Sequence, residues 1–366
     1  MQQLNDTPAE APASVHTTSF PELLQALGAS LLVSTYQAGK LLFVRAAGET
    51  LNIHFRQFAR PMGVAFDGRQ LAVGGQHDIR TFANLPEVAA SREPAGSHDA
   101  CFLPRQIHIT GNIAVHELAW GSEGLWLVNT RFSCLCTLDP SSSFVPRWAP
   151  PFISELRPED RCHLNGLALV DGRPRYATAL GASDSPAGWR QRKRDGGVLI
   201  DCTSNDVIAA GLSMPHSPRW RDGRLWLLNS GEGSIGVVDL ASGRYEPVAR
   251  LPGFTRGLDF CGRYAFVGLS RVRESATFSG IAIADAPLDQ RACGVWVVDT
   301  ITGRTVAFVR FDAGVDEIFA VQALPQIRFP DLVSDEPELL EHTFVVPDEA
   351  LARFGPQSQG ISNGAS

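Results

Sequence analysis

Two stretches of the chain carry one pattern without a gap. His116-Glu-Leu-Ala-Trp120, four turn residues and Leu125-Trp-Leu-Val-Asn129 match His216-Ser-Pro-Arg-Trp220, four turn residues and Leu225-Trp-Leu-Leu-Asn229. Each copy reads as a strand, a tight polar turn and a second strand, and after the second copy residues 235–238 read as a third strand. Weaker copies follow: Met62-Gly-Val-Ala-Phe66 before Asp67-Gly68, Asn165-Gly-Leu-Ala-Leu169 before Asp171-Gly172, and Arg256-Gly-Leu-Asp-Phe260 before Cys261-Gly262. Glu317-Ile-Phe-Ala-Val321 is a sixth without the turn. The anchors Met62, His116, Asn165, His216, Arg256 and Glu317 lie about 40 to 60 residues apart, the length of a four-stranded blade. The repeat predicts an all-β chain folded as a six-bladed β-propeller.

A propeller is a ring, and its first and last blades must meet. Residues 30–36 and 40–45 read as a hairpin through Gln37-Ala-Gly39, expected to pair with residues 319–325 and so remove the free edges. Residues 20–29 carry apolar side chains at helical spacing with a glycine near the end, which predicts one short N-terminal helix. The flanks are polar and rich in small residues. They divide the chain into a disordered segment over 1–19, one propeller domain over 20–345 and a tail over 346–366.

The composition narrows the function classes. A net charge of -7 gives no pull toward nucleic acid or an anionic membrane, and no apolar run is long enough to span a bilayer. Residues 1–15 have neither the basic nor the apolar region of a secretory signal, and the seven cysteines are odd in number and irregularly spaced. Reduced thiols in a cytoplasmic protein are the expectation. No phosphate-cradling glycine loop precedes a helix, and no Gly-x-Ser-x-Gly elbow is present.

In a propeller the residues that open the innermost strands ring one mouth of the central tunnel, so the repeat predicts neighbours that sequence distance hides. His116, Asn165, His216, Arg256 and Glu317 occupy equivalent places, and His163, two residues before Asn165, would point to the same side of a strand. His116, His163 and His216 with Asn165 and Glu317 are donor types for a divalent metal such as Zn, Fe or Mn. The same residues could form a water-lined polar ring or a metal-free ligand pocket. Arg256 would repel an adjacent cation and is better suited to a substrate carboxylate or phosphate. Two insertions interrupt the repeat, residues 181–197 with Trp189 and Arg190, and residues 270–294 with Arg271, Arg273 and Glu274. Loops of that length serve as lids or binding loops, which adds Trp189, Arg190 and Arg271 to the expected substrate rim. Glu117, next to His116, faces the other way in a strand and reads as a structural partner before a general base.

Several local motifs also carry a resemblance. Leu212-Ser-Met-Pro-His-Ser-Pro-Arg-Trp220, Ser185-Pro-Ala-Gly-Trp-Arg190 and Gly253-Phe-Thr-Arg-Gly-Leu258 with residues 266–275 resemble a bacterial conserved-hypothetical family built on a domain of unknown function. That resemblance covers about residues 30–330 and implies a β-propeller and a cytoplasmic bacterial protein. More distantly, the Asn-Gly-Leu-Ala form at Asn165 is similar to gluconolactonase-like six-bladed propellers, which implies an axial divalent metal. The chain departs from them in presenting His116 and His216 where oxygen ligands stand.

Taken together, these readings lead to an expected metal-dependent enzyme with its site at one tunnel mouth, acting on a small anionic substrate by hydrolysis or elimination. Glu317 and Arg256 are the expected catalytic pair. The alternatives are a non-catalytic scaffold that docks a peptide or partner protein, and a small-molecule sensor.

Overall fold

The computed structural model describes residues 12–90, 92–94, 96–272, 279–333 and 336–354. Arg273 and Glu274 of the second insertion lie outside them, as do residues 1–11 and 355–366 of the expected disordered ends. The chain divides into two units, residues 1–332 and 333–366. Described by itself, the second unit contains two helices, Pro337–His342 and Asp348–Phe354.

The first unit is a six-bladed propeller. Blade 1 runs outward through Val64–Phe66, Gln70–Gly74, Asp78–Asn84 and Ala100–Ile109. Blades 2, 3, 4 and 5 open at Val115–Gly121, Leu164–Val170, Pro215–Arg221 and Phe254–Cys261 and continue in chain order. Blade 6 is shared between the two ends of the unit. Its inner strand is Ala320–Pro325, paired with Ala29–Thr35 in a register from Ala29 opposite Pro325 to Ser34 opposite Ala320, and Lys40–Ala47 and Thr50–Gln57 follow. This is the closure expected from the hairpin. The inner strands touch in sequence, blade 1 to 2 and onward, and blade 6 touches blade 1.

Alternation along the strands fills the spaces between blades. Leu125 and Leu127 face blade 1, whereas Trp126 and Val128 face blade 3. Leu225 and Leu227 likewise face blade 3, and Trp226 and Leu228 face blade 5. Strands covered on both faces must be apolar at successive positions, which is why the second strand of each strong copy reads as a continuous apolar run. Each of the six blade junctions has its own buried cluster of this kind.

The helix predicted over 20–29 is α1, Ser19–Leu27, ended by Gly28 at φ 60°. Its Phe20 and Leu24 are buried in the cluster between blades 5 and 6. The segment ahead of it corrects an expectation: Ser14–His16 is a strand on the outer edge of blade 5, with Ser14 opposite Phe311 and His16 opposite Val309. At the other end Pro330–Leu332 pairs in parallel with Ala100–Phe102 on the outer edge of blade 1. Two blade edges are thus covered by three-residue strands from the ends of the unit, which hides backbone groups that would otherwise template aggregation.

Candidate functional site

The innermost strands begin in a repeated device. Arg60, Ala114, His163 and Met214 all adopt left-handed backbone, at φ 54°, 49°, 52° and 48°. Each stands two residues before its anchor, Met62, His116, Asn165 and His216. None is a glycine, so each carries a conformational cost of roughly 1–3 kcal/mol that the surrounding blades must hold in place. The turn aims the following side chain across the mouth.

In blades 2 and 4 the turn residue also fixes the histidine. His116 Nδ1 lies 3.0 Å from the Ala114 carbonyl, and His216 Nδ1 lies 2.9 Å from the Met214 carbonyl. A hydroxyl at one shared offset makes a second contact, Thr130 Oγ1 at 2.7 Å from His116 and Ser230 Oγ at 3.1 Å from His216. Thr130 donates its own proton to the Leu164 carbonyl at 2.5 Å, so it accepts from His116. Carbonyl acceptors place the proton on Nδ1 in both rings and leave Nε2 as a bare lone pair. Burial, then the nearby His163 and Arg256, hold His116 well below the usual histidine range; burial and Arg256 do the same for His216.

Blade 3 breaks the pattern. Asn165, at the anchor, donates Nδ2 to the Pro215 carbonyl at 2.9 Å and accepts from Thr178 Oγ1 at 2.8 Å. Both functions of its amide are occupied by neighbouring backbone and side chain, and it does not line the mouth cavity. The turn residue itself, His163, takes the inward place. Its Nδ1 donates to the Asp160 carboxylate at 2.9 Å and 3.0 Å, which also accepts from Trp189 Nε1 at 3.1 Å. His163 Nε2 then stands 3.2 Å from His116 Nε2.

These residues line a cavity of about 340 Å³ that takes side chains from all six blades, among them Arg60, His116, His163, His216, Arg256 and Phe319. The size suits a small molecule. Trp189, Met214, Phe254 and Leu180 form an apolar wall with Val272 and Ile281 behind it. Arg256 sits over Phe319, its guanidinium carbon 3.6 Å from the ring centre, and donates to Glu317 Oε1 at 3.0 Å. Glu317 Oε2 is buried without a partner among the described residues, and burial raises the Glu317 carboxyl against the pull of Arg256. A second chamber of about 20 Å³, room for one water, shares His116, His216 and Arg256 and adds Glu117, Asn165 and Arg219. Glu117 is paired there with Arg219 and accepts from the Leu167 amide at 3.0 Å, the structural role its strand position implied.

The expected residues therefore divide. His116, His163, His216, Arg256, Glu317, Trp189 and Arg190 line one cavity. Asn165 is withdrawn into the blade 3–4 junction, and Glu317 is engaged by Arg256 and so is removed from the expected donor set. Arg271 lies elsewhere: its guanidinium donates to the carbonyls of Arg291 and Phe311, and it lines a separate surface hollow. Among the described residues no three His, Cys, Asp or Glu side chains are gathered closely enough to hold a metal ion. The histidines that do meet are two. Arg60, Tyr36 and Asp160 are site residues that the sequence reading missed; Arg60 was legible as the residue two before the blade 1 anchor, while Tyr36 and Asp160 sit in loops with no repeat position.

No helix among the described residues is long and apolar enough to cross a membrane. No curated protein matches the chain. Among solved structures, the fold is similar to the crystal structure of a nidogen/laminin complex, with a TM-score of 0.51 at 10% identity over 81% of this chain and 99% of that one. It is also similar to a protein of unknown function from Bacteroides caccae, with a TM-score of 0.50 at 10% identity over 81% and 98%. Identity this low establishes the propeller and nothing about chemistry. The family model described as "Domain of unknown function (DUF4915)" matches residues 18–333, and the chain belongs to that family.

Proposed function

We propose that the mouth cavity is the site of a metal-dependent enzyme that acts on a small anionic substrate by hydrolysis or elimination, with His116 and His163 as the protein's metal donors. The observation that supports this is the His116–His163 pair. Two imidazoles whose Nδ1 protons are committed to fixed acceptors present lone pairs 3.2 Å apart, an arrangement that repels unless a cation or an extra proton lies between them. Two imidazoles on one tetrahedral ion, with bonds of 2.0–2.1 Å, stand about 3.3 Å apart, so the spacing fits. The carboxylate behind His163 and the carbonyl and hydroxyl behind His116 are the supports that metal-binding histidines require.

When bound, the metal would polarise a carbonyl or lower the pKa of a water. The remaining work falls to side chains. Arg256, held over Phe319 and oriented by Glu317, takes the anionic group of the substrate. Neutral His216 accepts a proton through Nε2. Trp189 and Phe254 exclude water from the apolar side.

The test is the metal content of tag-free protein after exposure to Zn, Fe and Mn, beside His116→Ala and His163→Ala. About one ion per chain in the parent and none in either variant is expected. A parent that stays metal-free refutes the metal. It favours a second reading, a metal-free acid–base site in which the pair shares a proton, to which the two-histidine donor set also points.

A further inference from the structure

Several arginines away from the mouth meet carboxylates: Arg56 and Arg92 meet Asp331, Arg161 meets Glu155, Glu159 and Asp184, and Arg175 meets Asp201, while the buried Arg45 and Arg291 are held by amide and carbonyl oxygens. At the cavity the balance reverses. Among the described residues, Arg60, Arg190 and Arg256 line it against one carboxylate, Glu317, in a chain whose net charge is -7. Glu317 belongs to Arg256. Arg60 and Arg190 meet no carboxylate among the described residues, yet neither is a loose surface side chain. Arg60 donates to Tyr36 Oη at 3.3 Å with its guanidinium 5.5 Å from the ring centre, and the Arg190 guanidinium is 4.6 Å from the Trp189 ring. A cation–π contact steadies the guanidinium and leaves N–H groups that do not meet the ring able to meet an anion. Both supports are themselves packed: Tyr36 lies against Phe319 at 5.9 Å between ring centres, and Trp189 is buried. The cations thus stand at two depths, Arg256 against the half-buried Glu317 and the two exposed arginines at the rim, with Phe254, Phe319 and Trp189 lining the same cavity.

We propose that the substrate is a small molecule with two anionic groups, carboxylate or phosphate, joined by a short apolar span, one group on Arg256 and the other on the rim guanidiniums Arg60 and Arg190. This rests on the reading that Arg256 takes an anion. Three guanidiniums on the wall of a cavity of about 340 Å³ match a small molecule of a few carbons that carries more than one anionic group. Charge-assisted contacts to a planar fork also favour such a ligand over a neutral one of equal size.

Calorimetric titration with acetate, glutarate and 3-phosphoglycerate tests it, on the parent, Arg256→Gln and the double variant of Arg60→Gln with Arg190→Gln. Glutarate or 3-phosphoglycerate should bind the parent at least about tenfold more tightly than acetate, and which of the two wins tells whether one of the two groups is a phosphate. In the double variant the ratio of dianion to acetate affinity should fall about tenfold, and in the parent it should shrink with added salt. A dianion that gains nothing over acetate in the parent, or keeps its full advantage in the double variant, overturns the inference. If acetate still binds the parent and loses its affinity in Arg256→Gln, only the second anion site has failed. If acetate does not bind the parent at all, the anion-binding role of Arg256 fails first.

Discussion

Replacing Asp331 should open the seam between blades 6 and 1. Its carboxylate, 5% exposed, accepts from Arg56 at 2.8 Å, from Arg92 at 2.8 Å and from the Leu332 amide at 2.8 Å, and His54 Nε2 stands 3.3 Å away. Arg56 and His54 are on the outer strand of blade 6, and Asp331 is on the short strand that covers blade 1. Asp331→Ala leaves two guanidiniums facing each other without the anion between them. Breaking a buried pair costs about 3–5 kcal/mol. Arg56 and Arg92 keep about a fifth of their side-chain surface in solvent and can partly rehydrate, which places the loss near 3 kcal/mol. Burial alone would raise the carboxyl, but His54, Arg56, the Leu332 amide and Arg92 together hold it far below the usual range. A depressed folded pKa means that the stabilisation is present above the unfolded value near 4 and is lost as pH falls toward the folded one. The assay is urea unfolding of parent and variant at pH 7 and across the acid range. The gap should be widest at neutral pH and close as pH falls below about 4. Equal midpoints at pH 7, or a gap that does not change in acid, would refute the latch.

Three further outcomes can be measured. Thr130→Val, nearly equal in volume, removes the hydroxyl that accepts from His116 and should weaken metal retention by about 10–100-fold with the fold intact, read by competition with a chelator. Gly257→Ala should cost about 2–3 kcal/mol by urea unfolding, because Gly257 sits at φ 84° and a Cβ there would meet the Val321 backbone nitrogen at 2.6 Å. In metal-free protein, buried neutral His216 binds its proton only in the unfolded chain between its ordinary pKa near 6.5 and its lower folded one, so stability should fall by about 1.4 kcal/mol per pH unit below 6.5 on its account. The slope should be shallower in His216→Gln.

The blades were legible because a blade is a local object. Strand, turn and strand follow within 30 residues or so, and double-sided burial writes an apolar run that any copy repeats. The closure was legible for the same reason, since a hairpin at the start and an incomplete repeat at the end are complementary halves. What stayed hidden depends on distant partners. Ser14–His16 is too short to show a period, and it becomes a strand only against the edge that Thr305–Phe311 offers. Asp331 looks like any acidic residue until Arg56, 275 positions away, is brought to it. Arg271 sat in a loop of the right length beside other charges, and carbonyls of its own blade claimed it.

The histidines of blades 2, 3 and 4 show where a repeat argument needs one more physical step. Alignment pairs His116 and His216 with Asn165, and side-chain type alone cannot say that Asn165 turns away. The left-handed turn can. A residue at positive φ projects its side chain unlike its strand neighbours, so the place two before the anchor is a second ring position, filled by Ala114 and Met214 where the anchor is histidine and by His163 where it is not. Blades 2 and 4 use the turn's carbonyl to orient the anchor; blade 3 uses the turn's side chain and recruits Asp160 to orient that instead. Both routes end with an imidazole whose Nδ1 is fixed. The mouth is therefore specified by two positions in each of blades 1 to 4, and Arg60, the left-handed residue of blade 1, belongs to the site on the same grounds as His163.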